Sequence, residues 1–508
     1  MRYMSDFSMV ITSQINGDSV DFDIMQFVES YRLHGGPEQP IRYIVIEVSK
    51  LNIDNVKGTI GGVATDYTLL DNIIQGQSKL YVHGIGTGTF IITKIQLNDY
   101  LYRITAYGVE VLLNSTVLTS SVIQSIMGSS SATQLVGTTS WIACQLLTYW
   151  NENIATGNLA TEYKVHLSSS FDTASPGGTY SSTGTMVAFE SGMTFLSIMN
   201  VCALIDNAFI FFGDEWDDTE QEYLDTFYFV NYDDSLPIAS NPASKYSTDG
   251  FRKGASMDGV VNIYPPMDDP YEYYSATDLL MYDNVVALAS QTSEGADTIV
   301  NSQTVIIYDE NNVRQEIVND DASIPGGTSE EYTGASHSIT AYGEYANASM
   351  NLERMRGVFV NPDTGYVDST PALNTHYNIE DTAKKIANNM VRRYRDSSQS
   401  IVIMMGEATD HVSDNITYTV WNQMFSQYSH ANYINDDVND IHLEYFHQSD
   451  KAFFEENTGY TNMSKDNSLL RLSTYTYCYP EMATQYRFGV AKQVDLTQTL
   501  ASLTKSKT

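Results

Sequence analysis

Few residues have the type and spacing that chemistry requires. His83-Gly84-Ile85-Gly86-Thr87-Gly88 holds a G-x-G-x-G run. A phosphate cradle needs a strand before it and a helix after it, so that helix N–H groups point at the anion. Here Thr89-Phe90-Ile91-Ile92-Thr93 follows, and these are strand formers, so a hairpin or barrel bend is the better account. Acid clusters stand at Asp214-Glu215-Trp216-Asp217-Asp218 and at Asp268-Asp269. A glycosidase sets two carboxylates about 5–9 Å apart across a cleft with aromatic walls, but a chain with 62 Asp+Glu and 36 Tyr meets that composition cheaply. Asn361-Pro362-Asp363-Thr364-Gly365 lacks the spacing and the distal Glu of a calcium loop and reads as a Pro/Gly turn. His442 and His447 stand five apart with Glu444 between them and no third ligand at hand. The motifs G-x-S-x-G, H-E-x-x-H and C-x-x-C do not occur. On this basis no catalytic, cofactor-binding or metal-ligating residue is assigned, no cofactor is expected, and the chain reads as a non-enzyme.

Composition narrows the classes further. The 508 residues carry 62 Asp+Glu against 27 Lys+Arg, a net charge of −35. That sign argues against gripping nucleic acid, which takes a basic surface, and against docking on anionic lipid. Apolar residues at 42% are too many for a disordered acidic tail. Simple solubility explains a large net charge. Cys144, Cys202 and Cys478 are far apart and fit buried thiols in a reducing compartment. The N-terminus shows no signal-peptide core, and the apolar run Met193–Phe212 is broken by Asn200, Asp206 and Asn207, so no transmembrane segment is expected.

The elements that would position any site are mostly strands, and the expected fold class is α+β, mainly β. Strand-like runs are 41–48, 80–83, 89–97 and 100–107, the last two joined by an Asn98-Asp99 turn. Helical spacing appears after Thr139-Ser140 and again after Ser191-Gly192-Met193-Thr194, which leads into a strand at Ala208–Phe212. Further strands are expected at 227–230, 285–288, 304–308, 313–318 and 401–406. The clearest helix spans 378–396, with acids leading and bases trailing. Five regions follow: 1–118, a first β-barrel; 119–225, a helix-containing domain with a Ser/Gly-rich insert; 226–345, β-rich; 346–400, a helical connector; 401–508, a β-rich completion. Ile104-Thr105-Ala106-Tyr107-Gly108 recurs as Ile339-Thr340-Ala341-Tyr342-Gly343, a weak sign of two related β-units.

Three places in this order resemble the tail-hub, or baseplate-hub, proteins of bacteriophages. They are Tyr102–Asn114, a strand leaving a barrel through an LLN segment; Gly192–Phe212, a helix feeding a strand; and the helix Ile379–Arg395, followed by β-structure ending Tyr486-Arg487-Phe488-Gly489. The resemblance implies two tail-tube-like antiparallel β-barrels per chain plus smaller α/β domains. It also implies a homotrimer presenting a pseudo-sixfold ring between a sixfold tail tube and a threefold spike or tip. The implied partners are the tail tube protein, the central spike or tip protein, surrounding baseplate proteins and the tape-measure protein, with DNA only in transit and no membrane. The implied place is the virion, after assembly in the host cytoplasm. Under this reading carboxylates lining the channel would repel passing DNA. The alternative is a virion-borne or secreted carbohydrate-active β-protein, a glycosidase or a receptor binder; an acidic enzyme from a salty habitat has no motif in its favour.

Overall fold

The structure is a computed structural model. It describes residues 8–36, 39–53, 56–83, 88–97, 100–154, 163–167, 171, 185–217, 222–231, 285–293, 299–319, 339, 343–361, 363, 367–368, 370–394, 399–406, 441–442, 469–480 and 483–489.

The chain starts with strands β1 (Ser8–Ile15), β2 (Asp18–Asp23), β3 (Val28–Gly36) and β4 (Gln39–Ser49), then α1 (Lys50–Ile53). The hairpin β5 (Lys57–Ile60) and β6 (Val63–Thr68) precedes α2 (Leu69–Asn72), and β7 (Lys79–His83), β8 (Gly88–Leu97) and β9 (Leu101–Gly108) follow. Alternation explains the strands: in β4, Arg42, Ile44, Ile46 and Val48 are buried, while Tyr43, Val45 and Glu47 are half-buried on the other face. Met9, Ile11, Phe22, Leu33, Leu80, Phe90 and Ile104 supply the same buried face from the neighbouring strands. Strands β7 and β8 pair antiparallel and Gly88 is the first residue of β8, as its sequence context requires; residues 84–87 lie outside the described residues.

The middle of the chain is an α/β unit. It holds α3 (Ser120–Met127), β10 (Gln134–Thr138), α4 (Thr139–Asn153), β11 (Lys164–Leu167), β12 (Met186–Glu190), α5 (Phe195–Ile205), β13 (Ala208–Asp217) and β14 (Glu222–Asn231). The cap of α4 sits one residue earlier than the sequence suggests: Thr138 Oγ1 accepts from Trp141 N at 3.3 Å. Thr194 caps α5 in the same way through Ser197 N. Nine α5 residues are buried, so its helical spacing does not select one face; α4, β13 and the later helix α6 surround it.

The remaining elements are β15 (Val285–Ser293), β16 (Thr304–Tyr308), β17 (Arg314–Val318), β18 (Met350–Asn351), β19 (Met355–Arg356), β20 (Phe359–Val360), β21 (His376–Tyr377), α6 (Ile379–Tyr394), β22 (Gln399–Gly406), β23 (Ile441–His442), β24 (Leu469–Tyr479) and β25 (Ala483–Gly489). The expected 304–318 hairpin is present as β16–β17. Helix α6 buries Ile379, Ala383, Ile386 and Met390, as its spacing predicts, and Lys384 pairs with Glu380 one turn earlier.

Strands far apart in sequence meet in one long sheet. Its order is β15-β22-β25-β24-β3-β4-β9-β8-β7-β1-β2-β5-β6, with β23 on β24. Within this path two sets of four strands repeat one topology. Numbered by chain order within each set, β15-β22-β25-β24 and β3-β4-β9-β8 both read first, second, fourth, third. In both, the third and fourth strands carry a β-bulge, between Ile92 and Lys94 in one and between Leu472 and Thr474 in the other. The short sequence echo does not mark this repeat: Ile104–Gly108 lies in β9, whose counterpart is β25, whereas Ile339 and Gly343 belong to no strand. The mainly-β, α+β class is what the sequence predicts.

Candidate functional site

Arg42 is the anomaly of β4. It occupies a core-facing position in line with Ile44 and Ile46 and is fully buried. A buried guanidinium must be paired and hydrogen-bonded. Its Nε donates to Glu110 Oε1 at 3.2 Å, its backbone N–H donates to the same oxygen at 3.0 Å, and its Nη2 donates to Asp225 Oδ1 at 2.7 Å. Tyr163 OH donates to the other Glu110 oxygen at 2.6 Å. The guanidinium also lies 5.6 Å from the centre of the Phe90 ring. Four separate pieces of chain therefore converge: β4, the 3-10 turn Val109–Asn114 that follows β9, the residue before β11, and β14. The cluster ties the first β-unit to the α/β unit.

Electrostatically the cluster is mismatched, with one cation facing two carboxylates. Burial lifts Asp225 to about 6, against the lowering effect of Arg42 and with a further push from Glu110. Burial likewise raises the Tyr163 phenol well above 10, helped by Glu110. Backbone space is tight here as well. A Cβ on Gly108 would fall on the Glu110 carboxylate, and one on Gly88 would lie 2.9 Å from Arg42 Nη1. Gly108→Ala should cost about 1–3 kcal/mol by overpacking, read as a lower urea midpoint at unchanged slope; an unchanged midpoint would mean that the carboxylate has room to move.

Asp206 is a second acid with a raised pKa, half-buried at the C-terminal end of α5. It accepts from Thr139 Oγ1. Burial raises it to about 6, while bonds from Thr139 and Thr185 and the charge of Lys385 lower it. An acid whose folded pKa lies above its unfolded value near 3.8 holds its proton more tightly when folded. Its contribution to stability is present at low pH and is lost as pH rises through about 4 to 6. Asp206→Asn removes that loss. The stability of the variant relative to wild type should rise between pH 4 and 7 by on the order of 2–4 kcal/mol, measured by urea unfolding at each pH. A pH-independent difference would contradict it.

The outer face of the first four-strand set is aromatic and cationic. His34 stacks on Tyr43 at 4.4 Å and meets Thr476 Oγ1 at 3.0 Å, across the ladder that joins the two sets; Tyr43 faces Tyr107 at 5.7 Å. Burial first, and Arg32 second, push His34 down to about 4. By register the same face carries Arg32, Lys94 and Arg103 with the carboxylate Glu47, and Glu29 at the bulge of β3 is exposed as well. The alternation that buries the apolar side chains of β3 and β9 turns Arg32 and Arg103 outward, while in β4 it turns Arg42 inward and Glu47 outward.

The residues singled out in the sequence do not converge. Asp214–Asp217 lie in β13 opposite Glu222–Asp225, and of these eight positions only Asp225 has a described side chain. Asp218, Asp268, Asp269 and His447 lie outside the described residues, as does the side chain of His442 in β23. Asp363 N donates to Asn361 Oδ1 at 2.9 Å, the turn its sequence suggests. Among the described residues no group of three or more His, Cys, Asp and Glu could hold a metal ion. A groove of about 610 Å³ lies between β10, the β16–β17 turn and β20–β21, where Arg356 pairs with Glu190 at 3.3 Å. Cys144, Cys202 and Cys478 are all buried thiols, and burial pushes Cys144 up to about 12. Among the described residues no helix is long and apolar enough to cross a membrane.

Sequence reasoning missed the Arg42 cluster. The signal was a charged residue at core parity inside the run 41–48, which demands a buried acid.

No protein-family model and no curated protein matches the chain. Several solved structures do. The tail protein from Neisseria meningitidis is 8% identical, with 95% of this chain and 96% of that one covered and a TM-score of 0.36. The 43 kDa tail protein of prophage MuSo2 from Shewanella oneidensis is 9% identical, with 95% and 97% covered and a TM-score of 0.38. A chain of the phage P2 baseplate in its activated conformation is 7% identical, with 96% and 100% covered and a TM-score of 0.28. These neighbours are tail and baseplate proteins. The superpositions are loose.

Proposed function

We propose that this chain is a structural hub of a phage tail or baseplate, a homotrimer whose three copies present six equivalent β-units as a pseudo-sixfold ring. The observation that carries the reading is the doubled four-strand set, repeated in the same order and joined edge to edge in one sheet. Two equivalent units per chain convert threefold symmetry into sixfold symmetry. One face of such a ring joins a sixfold tail tube and the other a threefold spike or tip, and DNA passes through the centre. The tail tube protein, the spike or tip protein, the surrounding baseplate proteins and the tape-measure protein are the partners this role requires. The protein works in the virion and is assembled in the host cytoplasm. It has no catalytic task. The buried Arg42 cluster fits that role as a lock that fixes the geometry of the β-unit on its α/β support.

The outer face of the first set carries Arg32, Lys94 and Arg103 beside Glu29 and Glu47. In this reading the net charge of −35 serves solubility. Native mass measurement of the purified chain is the test of subunit number: a species of three times the chain mass is expected, and a stable monomer at micromolar concentration contradicts the proposal.

A further inference from the structure

We infer that the groove between β10 and the β20–β21 pair is a docking site for the chain's own segment 490–508, held there by Leu503, Lys505 and Lys507.

Three features define what this groove takes. Its floor is apolar: Val136, Val358 and Val367 line it and belong to the small cluster around Met186 and Ala188. Its rim is acidic, with Glu190, Asp309, Glu310 and Asp368 around one cation, Arg356. One lining strand, β10, is a sheet edge, which among the described residues pairs with β12 alone. An extended segment laid over the floor adds to such an edge through main-chain hydrogen bonds, and its inward side chains set the specificity.

The rim acids are not a metal centre. Among the described residues no three metal-ligating side chains converge, and a volume of about 610 Å³ is far larger than an ion. Nor is their charge already cancelled. Arg356 is taken up by Glu190 at 3.3 Å and by Asn312 Oδ1, to which its Nη2 donates at 3.1 Å. Asp309 Oδ1 accepts from Asn311 N and Val313 N at 2.9 Å, and Asp368 Oδ1 accepts from Thr370 N at 2.9 Å. These neutral backbone donors fix both carboxylates and leave the charge in place. Glu310 is exposed and has no cationic partner among the described residues. The occupant that fits is an extended segment with an apolar residue and more than one cation.

Segment 490–508 answers to that. In a chain of net charge −35 it carries Lys492, Lys505 and Lys507 against Asp495 alone. Leu503, Lys505 and Lys507 stand two apart, and an extended backbone sets such residues on one face, about 6.6 Å from one to the next. The reach suffices as well. Helix α6 starts at the groove, where Ile379 N adjoins the lining residue Gly357, and its 16 residues cover about 24 Å. Strand β22 follows and pairs Ile401 with Phe488 of β25. This path brings Gly489 to within about 50 Å of the groove. The stretch from Gly489 to Lys505, fully extended, spans about 55 Å. Tethering raises the effective concentration of the lysines at the groove, which offsets the weakness of exposed ion pairs.

The test is carbodiimide coupling in the full-length chain, which joins an amine to a carboxylate where the two are in ion-pair contact. Lys505 or Lys507 should couple to Glu310 or Asp368, read by mass spectrometry. Lys505→Glu with Lys507→Glu should abolish those links and speed amide exchange over residues 134–138 at least fivefold, with exchange in α6 unchanged. Glu310→Lys alone should weaken the protection. Added to the two lysine substitutions it should restore part of it, because opposite charges face each other again. Mixing isotope-labelled and unlabelled chains identifies the copy that supplies the segment, and links within like-labelled chains are expected. Lysine links scattered over other carboxylates, or exchange at 134–138 unmoved by the lysine substitutions, overturn the docking. Links between labelled and unlabelled chains overturn docking within one chain and assign the groove to a neighbouring copy. None of these readouts depends on subunit number, so the hub reading stands or falls separately.

Discussion

Arg42→Ala should lower the free energy of unfolding by about 3–5 kcal/mol, the cost of removing one partner from a buried ion cluster. The reasoning starts from burial: Arg42 and Glu110 have no exposed side-chain surface, and Asp225 keeps only 9%. Without the guanidinium, two carboxylates stay in a dry site, and Tyr163 OH still donates to Glu110. Each must take up a proton or draw in water. The loss should therefore shrink as pH falls, because protonation removes the unpaired charge. Adding Glu110→Gln to Arg42→Ala should recover part of the loss for the same reason. Urea unfolding at pH 7 and at pH 5 measures both effects. A loss below about 1 kcal/mol at pH 7 would mean that the cluster is solvated and locks nothing.

Tyr31→Ala should be of similar size, about 3–5 kcal/mol for a large buried aromatic, and more selective in where it acts. Tyr31 is buried at the junction of the two four-strand sets, stacked on Tyr479 at 5.3 Å and tilted against Tyr477 at 5.5 Å. It is the register partner of Tyr479 in the β3–β24 ladder. Truncation leaves a cavity under the joint and removes its aromatic pairing, while the β3–β4 ladder on the other side keeps its partners. Hydrogen exchange should show protection lost first across Tyr475–Tyr479, with β4 and β9 unchanged. Uniform loss over the first β-unit would mean that the two sets do not behave as separable units.

How much of this was legible in the sequence depends on the range of the interaction. Local periodicity gave the helix at 379–394, because apolar spacing and leading acids act within a few turns. It gave the strands at 41–48 and 304–318 because alternation is a two-residue signal. The 1–118 boundary and the four other regions remain proposals. The double four-strand set was not legible, since its equivalence lies in strand order and bulge position rather than in residue identity, and the one repeated peptide pointed away from it. Arg42 and Asp225 meet across 183 positions, and Thr476 and His34 across 442; no window of local pattern spans such distances. Arg42 itself was visible as a cation at core parity. What it needed was the inference that a core-facing charge implies distant acids. Whether carboxylates line a channel is not legible in net composition, which fixes how many carboxylates exist but not which face of a strand they occupy.

In the proposed hub, two equivalent β-units per chain make a sixfold-like ring from three chains. Electron-microscope class averages of the purified full-length protein test it most directly. The expected result is rings with a central pore, threefold when averaged without imposed symmetry, with six lobes around the rim. Compact particles without a pore, or rings of any number other than three chains, would contradict it.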